Sequence, residues 1–336
     1  MKKPLVSILC VTYNHEKYIR HCLESLVSQK CDFLFEILIH DDASTDATQT
    51  IIKEFQHKYP ELVKPILQTE NQWSKKAGGI NLRFNYPRAK GKYIALCDGD
   101  DYWIGEDKLQ KQVAFLESNP DYSLVCGAFN LIQNGEEKSV IKTSLVSPEK
   151  EDEKGFYFDL GDLIKHWFIR PSTVLFRNLP DGAKVLDEYE FSFDVHLFYH
   201  LLKAKNAYYS KEILAGYNRH SGGVYSGRRP QDLLLVHYYI FKEIYEKDKN
   251  EFVREKYLDI SYKLINLRVS GLMSTRKIST PELKNRNVEA RTLYKEIKPL
   301  LKTKKERKKL NKSLIPLQLK LLKTKFSKIF SRGRNN

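Results

Sequence analysis

Glycine cradles for phosphate are missing from this 336-residue chain: no Gly-x-Gly-x-x-Gly follows its first apolar stretch, and no Gly-x-x-x-x-Gly-Lys-Ser/Thr occurs anywhere. Dinucleotide oxidoreductases and P-loop NTPases wrap backbone N–H groups around phosphates with such turns, so both classes are disfavoured. Cysteine is scarce. The five residues, Cys10, Cys22, Cys31, Cys97 and Cys126, are odd in number and form no Cys-x-x-Cys pair. They read as buried thiols in a reducing compartment, not as a disulfide framework or a zinc site. No run is long and apolar enough to span a bilayer. Lys2 and Lys3 precede an apolar stretch, but Pro4 and then Thr12-Tyr13-Asn14 leave it too short for a signal peptide. A cytoplasmic protein is expected.

Acid is nearly absent from the C-terminus. From Pro299 to Asn336, thirteen Lys or Arg face one acid, Glu306, so twelve of the fifteen net positive charges lie there. The basicity belongs to the tail and not to the fold. Within it Ile315, Leu319, Leu322, Phe326, Ile329 and Phe330 share one helical face, with Lys320, Lys323, Lys325 and Lys328 on the rest. Stripes of this kind lie on anionic membrane surfaces, so a peripheral position at the inner face of the cytoplasmic membrane is expected. A helix docked on the folded domain and a disordered tail are the other readings. No nucleic-acid partner is expected, because no reading module and no basic face in the folded part accompany the charge.

What is present is a core. Hydrophobic residues make up 41% of the chain and aromatics 12%, enough for one large α/β domain with additions. Apolar runs predict strands at Leu5 to Val11, Phe35 to Ile39, Val63 to Leu67 and Tyr93 to Cys97. Helical spacing lies between them, at His15 to Gln29, up to about Lys58, and at Ala77 to Ala89. Lys108 to Glu117 reads as a helix and Tyr122 to Ile132 as a further strand, so a mostly parallel central sheet with helices on both faces is expected. Gln133 to Lys154 reads as a flexible loop. Beyond it, helices are expected at Leu160 to Trp167 and Phe193 to Leu202, and strands at Thr173 to Phe176, Tyr208-Tyr209 and Ile213 to Tyr217. Asn218 to Gly223 reads as a mobile loop. The expected organisation is a domain over 1–230, in halves of about 1–132 and 155–230, then a helical extension over 231–298 and the basic tail over 299–336.

Three of these strands end in polar residues of a particular kind. The first ends at Thr12-Tyr13-Asn14, the second at Asp41-Asp42, and the fourth at Asp98-Gly99-Asp100-Asp101. Carboxylates packed that closely repel, and the core margin desolvates them. A hard divalent cation such as Mg²⁺ or Mn²⁺ among the oxygens makes the cluster tolerable; the alternative is a solvated acidic turn. With no glycine cradle, such a cation is also what would meet diphosphate charge. In an open parallel sheet, ligands bind outside the carboxyl ends of the strands where strand order reverses. Tyr13 could flank a uracil base, Asp41 could accept its imide N–H, and Asp98 with Asp100 could hold the metal on the diphosphate. For Asp41-Asp42 a plain helix-capping turn is the competing reading.

The stretches Val6-Ser7-Ile8-Leu9-Cys10-Val11-Thr12-Tyr13-Asn14, Glu36-Ile37-Leu38-Ile39-His40-Asp41-Asp42-Ala43-Ser44-Thr45-Asp46 and Ala89-Lys90-Gly91-Lys92-Tyr93-Ile94-Ala95-Leu96-Cys97-Asp98-Gly99-Asp100-Asp101-Tyr102-Trp103 resemble the family 2 glycosyltransferases. Those are inverting enzymes of the glycosyltransferase A fold that use nucleotide-sugars. The resemblance covers roughly residues 4–225. It implies that Thr12, Tyr13, Asn14 and Glu16 lie at the nucleotide, with Asp41 on the base. Asp98 and Asp100 match the family's sugar-and-metal Asp-x-Asp, and Asn81 and Arg83 fall where it contacts donor ribose and phosphate, although Gly78-Gly79 departs from the usual wording. Asp194, in Ser192-Phe193-Asp194-Val195-His196-Leu197-Phe198, resembles the family's base at a helix start. Phe193 stands where Glu is common, and Phe191, Phe193 and Phe198 would wall the carboxylate. A helix cap is the other reading of Asp194, and Asp187, Glu188 and Glu190 are rival bases. His220, in Tyr217-Asn218-Arg219-His220-Ser221, resembles a late motif whose imidazole approaches the diphosphate or the metal.

The expectation is therefore an inverting transferase moving a sugar from a nucleotide-diphosphate sugar, a UDP-sugar first, to a saccharide or lipid-linked hydroxyl in cell-surface polysaccharide synthesis. A sugar nucleotidyltransferase, or a non-catalytic membrane- or nucleic-acid-binding protein, is the alternative.

Overall fold

Four parallel strands carry the first half of the sheet: β1 (Val6–Thr12), β2 (Phe35–Asp41), β3 (Val63–Leu67) and β4 (Tyr93–Leu96), side by side in the order β3-β2-β1-β4. β1 is buried along almost its whole length, and Tyr93 to Leu96 is buried at every position. Strands covered on both faces need continuous apolar sequence, and this one has it. Helices Ile19–Val27 and Thr48–Lys58 turn Ile19, Cys22, Leu23 and Leu26, and Ile51, Ile52 and Phe55, into a common core with Val6, Ile8, Ile37 and Ile39. The computed structural model describes residues 3–76, 79–179, 186, 188–190, 194–223, 229–270 and 280–312, without the side chains of 204, 268–270 and 280–288.

Beyond β4 the sheet is mixed. The remaining strands are β5 (Tyr102–Trp103), β6 (Tyr122–Gln133), β7 (Glu136–Val140), β8 (Gly155–Phe158), β9 (Leu175–Arg177) and β10 (Asn206–Asn218). Among the described residues the sheet has ten strands: eight follow the path β3-β2-β1-β4-β9-β6-β10-β5, while β7 pairs with β6 and β8 with β10. β9 runs antiparallel to both β4 and β6, while β6 and β10 pair in parallel. The expected parallel character thus holds for the first four strands. It gives way where β9 is inserted between β4 and β6.

Three local expectations are corrected. The segment after Gln133 is not all loop: β6 and β7 form a hairpin in which Gln133 faces Glu136, around Asn134 at φ 54° and Gly135 at φ 81°. Asn-Gly with both φ positive is the turn whose twist suits a two-residue hairpin. The helix expected over Ala77 to Ala89 is broken into a π turn, Asn81–Asn85, and a 3₁₀ turn, Tyr86–Arg88; Pro87 has no N–H to continue a helix. Ala77 and Gly78 lie outside the described residues. Finally, Tyr208-Tyr209 and Ile213 to Tyr217 belong to one strand, bent by irregular register between Ser210 and Ile213.

A buried polar knot ties the N-terminal edge of β1 to the approach to β4. The Ser7 hydroxyl donates to Glu36 Oε1 at 2.7 Å and accepts from the Gly91 amide at 2.9 Å. Lys64 Nζ reaches Glu36 Oε2 at 2.9 Å. Burial alone would raise the Glu36 carboxyl, yet Lys64, Ser7 and the Lys90 amide together hold it below its ordinary range.

The chain divides into two compact units, Met1–Gly227 and Arg228–Asn336. The second is helical, with Pro230–Asp248, Glu251–Ser270 and Thr280–Ile297. Inside it Arg254, 3% exposed, donates to Glu251, Glu306 and the Leu300 carbonyl. No helix among the described residues is long and apolar enough to cross a membrane. The amphipathic face of Ile315 to Phe330 lies outside the described residues.

Gly91 has no room for a side chain: a Cβ there would stand 2.5 Å from the Ser7 nitrogen and 2.6 Å from the Tyr93 oxygen. Gly91→Ala is expected to destabilise the first unit by about 2 kcal/mol through forced backbone movement. A lowered thermal unfolding midpoint checks this, and an unchanged midpoint contradicts it.

Candidate active site

Strand order reverses at β1. The chain steps from β1 to β2 to β3 on one side, then returns to place β4 on the other. The carboxyl ends of β2, β1 and β4 consequently adjoin. Thr12 pairs with Asp41, the Asp42 amide donates to the Thr12 carbonyl at 3.0 Å, and the Gly99 amide donates to the Val11 carbonyl at 2.8 Å. The three motifs read from the sequence are thus brought to one edge.

Two turns at that edge lock together. Asn14, at φ 53°, accepts from the Thr45 amide at 2.8 Å, and its own amide donates to Ser44 Oγ at 2.8 Å. Glu16 Oε2 accepts the Ala47 amide at 3.1 Å, while Asp46 Oδ2 accepts the Glu16 amide at 3.1 Å. Each carboxylate serves free N–H groups at the start of helix Thr48–Lys58 or the turn before it. Tyr13, 45% exposed, projects from the lock into solvent.

Asp41 and Asp42 are both buried and both occupied. Asp41 accepts from the Ser44 amide at 3.0 Å, from the Ser44 hydroxyl, and from Gln49 Nε2 at 2.6 Å. Asp42 takes the Gln72 amide at 2.7 Å and the Trp73 amide at 3.0 Å, opening the short helix Gln72–Lys75. The capping reading of this pair therefore describes Asp42. Asn81 Oδ1 accepts from Asn85, whose amide also donates to the Cys10 carbonyl at 3.0 Å, so this turn borders the end of β1. Arg83 donates to the Lys76 carbonyl at 2.9 Å and lies over Phe84.

The three carboxyl groups after β4 have three different fates. Asp98 opens to solvent but sits in a crowded recess. Burial, then the charges of Asp100 and Asp194, push its carboxyl up to about 7. Asp100 would also be raised by burial, but His220 and His15 reverse the sign and hold it below the ordinary range. His220 Nε2 lies 3.1 Å from Asp100 Oδ2, and His15 Nε2 lies 3.8 Å from the same oxygen. Asp101, 5% exposed, accepts the Asn218 amide at 3.2 Å. Burial and its two acidic neighbours drive it well above its usual value, against the opposing bonds of Ser172 and Asn218.

The late loop is pinned to this turn, contrary to its expected mobility. Asn218 Nδ2 donates to the Asp100 carbonyl at 2.7 Å, one step before His220 meets the Asp100 side chain. Tyr18 stacks on His220 at 4.9 Å. Trp103 lies buried beneath, its Nε1 donating to the Ser172 carbonyl at 2.8 Å with Lys108 Nζ 4.0 Å from its ring.

Asp194 is the first described residue of helix Asp194–Ala204. Its Oδ1 accepts from the Val195 amide at 3.0 Å. Burial raises the Asp194 carboxyl above its ordinary range, against the opposing pull of Arg170. Its charge is among those that raise the Asp98 carboxyl. Phe198 is fully buried; Phe191, Phe193 and Asp187 lie outside the described residues. Glu188 and Glu190 are among the described residues. The site residue missed from the sequence is His15. Its signal was its place directly after Thr12-Tyr13-Asn14, where the end of β1 turns toward the acidic loop.

A cation could be held here. His15, Asp100 and His220 each offer one donor atom, and the three atoms lie within 4.8 Å of one another. Mixed imidazole and carboxylate donors suit a divalent metal.

The α/β sheet, with acidic groups at its switch point, has the architecture of the glycosyltransferase A fold. The profile of Glycosyl transferase family 2 matches residues 7–177, just over half of the chain, and the chain belongs to that family. Among relatives, it is 43% identical over 123 residues to an uncharacterized protein of Mycobacterium tuberculosis, Rv1520, a match covering 36% of this chain and 34% of that one. The chain thus spans about a third of the length of that relative. It is 28% identical over 225 residues to the Escherichia coli UDP-Glc:alpha-D-GlcNAc-diphosphoundecaprenol beta-1,3-glucosyltransferase WfaP, covering 66% of this chain and 79% of WfaP. The crystal structure of S. aureus TarS 1-349 in complex with UDP-GlcNAc superposes with a TM-score of 0.60 at 21% identity, covering 86% of this chain and 81% of TarS. That likeness is one of fold.

Gly99 sets how closely the acidic turn approaches β1. A Cβ there would lie 2.7 Å from both Cβ and Oγ1 of Thr12, whose hydroxyl is buried without a partner. Gly99→Ala is expected to displace Asp98 and Asp100 and weaken divalent-cation binding roughly tenfold or more. Calorimetric titration tests it; unchanged affinity would show that the turn has slack.

Proposed function

We propose that this chain is an inverting glycosyltransferase that moves a sugar from a UDP-sugar to a hydroxyl of a saccharide or lipid-linked acceptor, in cell-surface polysaccharide synthesis. The observation that carries the proposal is the gathering of Thr12, Asp41 and the Asp98-Gly99-Asp100 turn at the sheet's switch point, with the Asp194 charge acting on Asp98. Membership of the family supports sugar transfer. The printed substrates of relatives, UDP-Glc for WfaP and UDP-GlcNAc for TarS, support a UDP donor and, for WfaP, a diphosphoundecaprenol-linked acceptor.

In this reading Tyr13 flanks the base, Thr12, Asn14 and Glu16 shape its pocket, and Asn81 and Arg83 lie toward ribose and phosphate. Asp41 reaches the base only by sharing bonds now given to Ser44 and Gln49. Asp98, Asp100 and His220 hold Mg²⁺ or Mn²⁺, which when bound supplies positive charge against the diphosphate. Asp194 takes the proton from the acceptor hydroxyl. The oxygen then attacks the anomeric carbon on the face opposite the diphosphate, the bond to UDP breaks, and configuration inverts. The basic tail would keep the enzyme at an anionic membrane surface, on the cytoplasmic side where nucleotide-sugars are made.

Turnover with UDP-sugars should release UDP and no pyrophosphate; release of pyrophosphate would replace this reading by nucleotidyl transfer. Asp194→Asn is expected to lower turnover about 10²- to 10⁴-fold while UDP still binds. Asp100→Asn should lose divalent-dependent UDP binding, and near-normal activity in either variant would remove that residue from its role.

The Asp194 carboxylate must be ionised to act, and burial raises its pKa. The wild-type kcat/KM should therefore fall as pH drops through an apparent pKa above the ordinary aspartate value of about 3.9. A pH profile in which this limb persists in Asp194→Asn would assign the base elsewhere.

A further inference from the structure

His15 lies outside the Asp-x-Asp and the late histidine, yet it faces the same carboxylate oxygen as His220. Nε2 of His220 is 3.1 Å from Asp100 Oδ2 and Nε2 of His15 is 3.8 Å from it. Ligands held about 2.1 Å from a metal are about 3.0 Å apart when adjacent and about 4.2 Å apart when opposite, and both spacings fall between these limits. The two imidazole rings stand nearly perpendicular, at 89° with centroids 5.9 Å apart, so they approach from different directions.

Other contacts aim His15 inward. Its backbone amide donates to Thr48 Oγ1 at 2.9 Å, fixing the residue where β1 turns. Nδ1 is buried and makes no hydrogen bond, which leaves Nε2 as the ring's polar contact. Tyr18 stacks on His220 at 26° and meets His15 edge-on at 86°, orienting both rings.

We propose that His15 is a third protein ligand, with Asp100 and His220, of a divalent-cation centre that selects first-row transition ions such as Mn²⁺ over Mg²⁺. The inference rests on the metal site of the proposed function but adds a ligand and a selectivity to it. Imidazole is a softer donor than carboxylate or water. Each one in the set favours transition ions, whereas Mg²⁺ keeps to oxygen and to its own water.

The test is pulsed electron paramagnetic resonance of Mn²⁺ added to the full-length protein, reading ¹⁴N couplings from directly bound imidazole. Wild type should show two nitrogens, and His15→Gln and His220→Gln one each. Mn²⁺ affinity in His15→Gln should fall tenfold or more, with circular dichroism and metal-free UDP binding unchanged. His15→Asp, which returns a hard oxygen, should recover cation binding and lessen the preference for Mn²⁺ over Mg²⁺. A single nitrogen in wild type, lost in His220→Gln and retained in His15→Gln, overturns the inference and leaves the proposed function standing. Wild-type protein that binds no Mn²⁺ overturns the inference and the metal role of Asp100 together.

Discussion

Three carboxyl groups within four residues, at the end of a buried strand, must be reconciled with one another before anything else in this domain can work. Ionising all three in one recess means repulsion with little water to screen it. The protein separates them by environment. Asp101 turns inward and gains the Asn218 amide, and burial raises its carboxyl; His220 and His15 hold the Asp100 carboxyl below its ordinary range; Asp98 stays exposed. Much of the nearby architecture follows from this. The end of β10 must reach the acidic turn to supply Asn218 and His220, and the turn after β1 must bend inward to present His15.

The floor under the turn is apolar and thiol-rich. Cys22 Sγ is 4.0 Å from Cys97 Sγ, and both thiols point at the Asp98 carbonyl, at 3.6 and 3.8 Å. Bonding to Cys10 and Cys97, together with burial, keeps the Cys22 thiol protonated well above its usual range, so it acts as a donor. Lys108 is also buried, over Trp103 and bonded to Gln112 at 2.8 Å, and desolvation lowers its ammonium to about 7. A dry floor of this kind strengthens every charge interaction above it.

Much of the nucleotide side was legible because its strands are buried on both faces. Continuous apolar runs at Val6, Phe35, Val63 and Tyr93 announce such strands without help from distant contacts, and the three motifs at their ends were readable as chemistry. Less local features were not. The Asn134-Gly135 hairpin has a plain turn signal, but Glu136, Glu137 and Lys138 give β7 no apolar alternation. The insertion of β9 between β4 and β6 has no local signal at all. It depends on which strand edge remains open after the parallel half has formed, and the bend in β10 follows from fitting around that arrangement.

Side-chain types and their spacing along the chain determined the fold class, the acidic turn and the expectation of a cation, since apolar periodicity and repulsion between neighbouring like charges are properties of adjacent residues. Tertiary structure alone decided which carboxyl group is pushed up and which is held down, and that His15 and His220, 205 positions apart, meet at one oxygen of Asp100. Ionisation depends on distance and desolvation in space, and neither can be read from order along a chain.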